Sequence, residues 1–134
     1  MSASPAARPR PHALEALFGR RRRVVIGVIH ARPLPGAPDY DGEPVEAIYA
    51  AALEDGRRYA AGGVDGLIVE NHGDIPFFKP DAIGPETAAA MTVIADRVRQ
   101  EVDVPVGINA LANGAVTALA VAKAAGAGFI RVNQ

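Results

Sequence analysis

Cysteine is absent, so disulfides, thiolate zinc sites and cysteine nucleophiles are excluded together, and His, Asp and Glu remain as the available metal ligands. Charge of one sign is also missing. Fourteen basic and 15 acidic side chains leave a net charge of −1, which offers no field to draw a polyanion, and no nucleic-acid partner is expected. Long hydrophobic runs are lacking too: stretches such as Val24 to Ile29 fall far short of the roughly 18 to 20 residues that cross a bilayer. No transmembrane segment is expected, which leaves peripheral association as the open membrane reading. The Arg-rich start, with Glu15 its lone acid before Val24, is not followed by a signal-peptide apolar region and cleavage site. The expected location is cytoplasmic; an organellar transit peptide shares the same bias and is the alternative. GxxxxGK[ST], GxGxxG and HExxH patterns do not occur, so nucleotide-cofactor and zinc-protease readings have no motif and no cofactor is assigned.

What is present is a 134-residue chain, 49% apolar and 22% charged, a composition that buries one core and leaves no length for a second domain. Residues 1–20 read as a flexible Pro/Ala/Arg-rich tail with a short helical turn over Ala13 to Phe18. From 21 onward, four apolar runs read as buried parallel strands: Val24–Ile29, Gly66–Val69, Val104–Ile108 and Phe129–Val132. Between them lie helical patterns. Pro44 reads as a first helical position, Val45, Ile48, Tyr49, Ala52 and Leu53 form one apolar face, and Gly62-Gly63 ends it. The second helix opens at Pro85-Glu86-Thr87. The third runs from about Gly114 to Ala125, with Val116, Leu119, Ala120 and Lys123 in phase and Gly126 as its stop. The order βαβαβαβ implies parallel strands joined by right-handed crossovers.

The loops leaving strands one and two are long and polar, and in such architectures the C-terminal strand ends carry the ligand site. Projected there are His30 and Arg32, then Glu70, Asn71, His72 and Asp74, then Asn109 and Asn113, and finally Arg131 and Asn133. Polar groups abutting buried strands either form a structural hydrogen-bond network or face a ligand. Glu70 is the candidate general base, with His30 as its acid or base partner. The structural alternatives are an ion pair of Glu70 with Arg32 or Arg131, and a donor role for His30. Glu70, His72 and Asp74 alternate, a spacing that permits a metal but does not by itself define one, and no metal is assigned. Prolines 33, 35 and 38 stiffen the loop that carries Arg32. Asn113-Gly114 at a helix start is an anion-binding geometry in principle. Arg20 to Arg23 reads as an exposed lead-in to the first strand.

Several stretches together resemble the BtpA/SgcQ family: Val25 to His30 followed by Pro33-Leu34-Pro35-Gly36, Gly62 to Asn71 with Gly73-Asp74 and Pro76-Phe77, Gly107-Ile108-Asn109, and Ala124 to Asn133. The resemblance implies a TIM-type (β/α) barrel. It also implies one of two roles, since the family takes its name from a protein of photosystem I biogenesis at the thylakoid membrane, while other members occur beside sugar-metabolism genes. Ala112 and Gly114 stand where the family carries an Arg and an Asp, and His72 replaces an aromatic residue. A barrel of this type needs eight strands and about 250 residues, so residues 21–134 are expected to form its N-terminal half. Its open edges should drive self-association or pairing with the other half. The expected function is an enzyme-like barrel for a small sugar-derived or phosphorylated metabolite. Glu70 and His30 would transfer protons while Arg32, Asn71, Asp74, Asn109 and Asn133 bind the substrate. The alternatives are a non-catalytic assembly factor, at the thylakoid in a photosynthetic host, and a truncated chain without independent activity.

Overall fold

A computed structural model describes residue 10 and residues 12–74 and 82–133. Most of the first eleven residues, the Pro76-Phe77 motif and Gln134 lie outside the described residues. Along the chain run α1 (Ala13–Phe18), β1 (Ile26–His30), α2 (Val45–Ala61), β2 (Gly66–Glu70), α3 (Pro85–Glu101), β3 (Val106–Asn109), α4 (Ala115–Ala125) and β4 (Phe129–Ile130). The strands form one parallel sheet in the order β1-β2-β3-β4. Four parallel strands alternate with helices, as the apolar runs predict, and make the partial TIM-type barrel that the family resemblance implies.

Local chemistry sets the boundaries. Pro44 is the N-cap of α2 rather than its first helical residue, with an extended ψ of 131°. Pro85 does open α3, where a missing N–H costs nothing because the first turn has no acceptor for it. Gly126 ends α4 at φ 74°, a left-handed conformation that favours glycine. β1 begins two residues later than the apolar run, because Val25 is drawn out of the ladder by Asp65, whose carboxylate accepts the Val25 N–H at 2.8 Å. β3 likewise begins after Pro105, which has no N–H to give, although its carbonyl accepts the Leu67 N–H at 2.9 Å. β4 is shorter than expected, ending at Ile130.

Helices α2, α3 and α4 cover one face of the sheet. Ile29, Leu67, Val69, Val106 and Ile108 pack there with Ile48, Met91, Ile94, Val98 and Val121. Each such side chain contributes about 1.5–3 kcal/mol on burial. On the other face Phe18 of α1 lies edge-on to Phe129, ring centroids 5.5 Å apart at 75°. These rings fill the space that two glycines leave: a Cβ at Gly66 would meet the Phe18 ring, and one at Gly107 would meet the Phe129 ring.

One expected face is reversed. α4 buries Ala118, Val121, Ala122 and Ala125, while Val116 is 82% and Leu119 56% exposed. Periodicity weights large side chains, but the small alanines let α4 lie close against β3, β4 and α3, and the larger residues then point outward.

Candidate functional site at the strand ends

Parallel register brings the last residues of three strands level, with His30 paired to Glu70 and Glu70 to Asn109. Ile108 pairs with Ile130, which sets Arg131, one residue beyond β4, level with Asn109. Its N–H donates to the Ile108 carbonyl at 2.9 Å. His30, Glu70, Asn109 and Arg131 thus form one polar row, and the alternation of strand side chains turns it away from the helices.

Glu70 sits at the centre of this row and is 5% exposed. Its Oε2 accepts from Asn109 Nδ2 at 2.9 Å, with Arg131 Nη1 3.8 Å away. His30 Nε2 stands 3.7 Å from Oε1. Both side chains lie beyond hydrogen-bond length of the carboxylate and are more than half exposed, so solvent screens the Arg131 charge. His30 stacks on His72, ring centroids 4.3 Å apart at 17°.

Two amide oxygens in this region have no hydrogen-bond partner among the described residues, Oδ1 of Asn109 and Oδ1 of Asn133. Asn109 is fully buried. Its orientation follows from chemistry, since an ionised Glu70 carboxylate must be faced by the NH2 rather than the carbonyl. A buried acceptor left unpaired costs about 1–3 kcal/mol, and a donor placed above the row would recover it.

Asn71 and Asp74 are committed to the loops. Asn71 Oδ1 accepts the Leu111 N–H at 2.7 Å, and its Nδ2 donates to Asp74 Oδ2 at 3.3 Å. Asp74 Oδ1 accepts the Leu34 N–H at 2.8 Å. The two side chains therefore tie together the loops that follow β1, β2 and β3. Burial raises the Asp74 pKa above its ordinary value, opposed by the hydrogen bonds from Leu34 and Asn71. Gly73 completes the contact, since a Cβ there would run into the backbone at Ala31 to Pro33.

Arg32 pairs with Glu43 at 2.5 Å, in its own loop; the ion-pair partner of Glu70 is Arg131. Ala112 and Asn113 adopt φ of 61° and 62°, a conformation unfavourable for residues with a Cβ, just beyond the row. The alternation of Glu70, His72 and Asp74 does not produce a convergent set: among the described residues no three His, Asp or Glu side chains stand close enough to hold a metal. The place of Arg131 in the row was legible in the strand period; the His30–His72 stack, made by a turn residue, had no such signal.

A family model described as the BtpA family matches residues 21–134. Among curated proteins, an uncharacterized protein of Archaeoglobus fulgidus is 51% identical over 112 residues, covering 84% of this chain and 44% of that one. An uncharacterized protein of Pyrococcus furiosus is 46% identical over 112 residues, covering 84% and 42%. The photosystem I biogenesis protein BtpA of Synechocystis is 49% identical over 109 residues, covering 81% and 37%. The chain spans less than half the length of these relatives. No solved structure matches it.

Proposed function

The chain belongs to the BtpA family, and from that premise we propose that the strand-end row is part of an enzyme site for a small polyhydroxylated metabolite, sugar-derived or phosphorylated. The observation that carries this reading is the pairing of a buried carboxylate, Glu70, with a fully buried amide, Asn109, whose oxygen has no partner among the described residues. A scaffold network satisfies its members, whereas an acceptor held free beside a carboxylate is complementary to a ligand rich in hydroxyl donors. In this reading Glu70 takes a proton from a substrate carbon beside a carbonyl and His30 gives one to the carbonyl oxygen, with Nε2 already on the carboxylate side. Asn109 and Asn133 accept from hydroxyl groups. Arg32 and Arg131 supply cations for an anionic group, Arg32 by leaving Glu43. Asn71 and Asp74 fix the loops that frame the substrate. The location assigned with this reading is the cytoplasm, and no described helix is long and apolar enough to cross a membrane.

Proton transfer at Glu70 predicts that a substrate C–H exchanges with solvent. Incubating the protein with pentoses, hexoses and their phosphates in D2O and following deuterium uptake by NMR tests this. Uptake that disappears in Glu70→Gln supports the assignment, and a panel that shows neither uptake nor turnover defeats it.

A second reading rests on the 49% identity to the Synechocystis protein named for photosystem I biogenesis: a non-catalytic factor for assembly of a membrane complex. Deleting the gene in its own host and measuring complex accumulation separates the two. Loss of the complex that Glu70→Gln restores in full favours assembly over catalysis.

A further inference from the structure

Arg131 and Glu70 stand two strands apart, at the ends of β4 and β2, with Asn109 of β3 level between them. Adjacent strands lie about 4.8 Å apart, so the arginine side chain has to reach across Asn109 to bring Nη1 to 3.8 Å from Glu70 Oε2. Its backbone is fixed, since the Arg131 N–H donates to the Ile108 carbonyl at 2.9 Å. From that anchored stem the guanidinium lies across the same carboxylate and amide that a hydroxyl-rich ligand would use.

The guanidinium is loosely held there. A charge-assisted N–H to O contact is about 2.7–2.9 Å long, and the Arg131 pair is well outside that length. The arginine side chain is also 56% exposed, so water screens the attraction. Arg32 is in the opposite state, bonded to Glu43 at 2.5 Å. Arg131 is therefore the readier of the two cations for a ligand to recruit.

What recruits it decides which ligands enter. A neutral ligand that pushed the guanidinium aside would take from the buried Glu70 carboxylate its arginine partner and offer that arginine nothing in return. A ligand with an anionic group gives the guanidinium a bidentate partner, while its hydroxyl groups take the vacated place at Glu70 and Asn109. Resting on the site reading above and deepening it, we propose that Arg131 is a specificity-determining residue. It covers the Glu70–Asn109 pair against neutral sugars and swings from Glu70 to the anion of a polyhydroxylated metabolite that carries a phosphate or a carboxylate.

The test compares binding within families of probes. Calorimetry at constant ionic strength gives dissociation constants for pentoses and hexoses, their terminal phosphates, their aldonic acids and inorganic phosphate. The native protein, Arg131→Gln and Arg131→Lys are measured alike, and the phosphate and acid arms tell which anion is taken. At least one anionic probe should bind the native protein more tightly than its neutral parent by about tenfold or more, the scale of one hydrogen bond to a charged group. In Arg131→Gln the anionic probe should lose affinity and the neutral parent gain it, so that the preference disappears, whereas Arg131→Lys keeps most of it. A purely structural role for Arg131 would weaken both probes equally in Arg131→Gln and leave their ratio unchanged, which overturns the inference. Neutral sugars that bind the native protein as tightly as their phosphates and acids also overturn it, while leaving the hydroxyl-rich site standing. Inorganic phosphate that binds as tightly as the sugar phosphates overturns it as well, because the hydroxyl groups then take no part. Binding of no probe at all overturns both this inference and the site reading.

Discussion

Asn109 donates its Nδ2 to Glu70 Oε2 at 2.9 Å while its own Oδ1 stays buried without a partner among the described residues. The amide thus holds the carboxylate with one end and presents an acceptor with the other. Adjacent parallel strands place these two residues directly opposite each other, so the relationship is fixed by the sheet and not by a flexible loop.

Replacing that amide with a second acid, Asn109→Asp, sets two carboxylates together in a buried site, where both cannot ionise without repulsion. The expected cost at neutral pH is about 2–3 kcal/mol, the scale of a lost hydrogen bond to a charged group. Urea denaturation at pH 7 checks it, and a variant as stable as the native protein would argue against the contact.

Asp74 gives a pH dependence of the opposite kind from a salt-bridged acid. Burial raises its pKa in the folded state, so the folded protein binds the proton more tightly than the unfolded chain does. The stability this supplies is complete below the unfolded value, near 3.8, and is lost as pH rises through the raised folded value. Asp74→Asn removes this titration. Melting curves from pH 3 upward should show the native protein losing stability relative to Asp74→Asn across that window; a constant difference would argue against the assignment.

Gly107→Ala forces a methyl group into the Phe129 ring, an overpacking that costs about 1–3 kcal/mol. Phe129→Ala opens that space. In the double variant the glycine substitution should cost much less than in the native background, and chemical denaturation of the four proteins measures the coupling.

The reversed face of α4 predicts unequal effects from like substitutions. Val121, fully buried, should lose about 1.5–3 kcal/mol on replacement by Ala. Val116→Ala should change stability by no more than about 0.5 kcal/mol in the 134-residue chain.

β2 and β3 were legible because they are buried throughout and therefore read as apolar runs, and the partly buried β1 and β4 keep enough apolar residues to read alike. Where a neighbour intervened the run misled. Val24 and Val25 look like strand, but the Asp65 carboxylate holds the Val25 N–H, a contact 40 residues away that no window reveals. The α4 face was misjudged because periodicity ranks side chains by size, whereas close helix packing here selects alanine. At the candidate site, the row of His30, Glu70, Asn109 and Arg131 follows from strand ends alone. The commitment of Asn71 and Asp74 to backbone N–H groups at Leu111 and Leu34 depends on how three loops fold together, as does the pairing of Arg32 with Glu43.

The central claim is that Glu70 and Asn109 face a hydroxyl-rich ligand, and ligand-induced stabilisation tests it most directly. Thermal melting of the protein against a panel of polyols, sugars and sugar phosphates should show at least one compound that raises the midpoint, since a ligand at 100 times its Kd adds about 2.7 kcal/mol. That shift should vanish in Glu70→Gln and in Asn109→Leu. A shift that survives both substitutions, or a panel that moves nothing, would contradict the account.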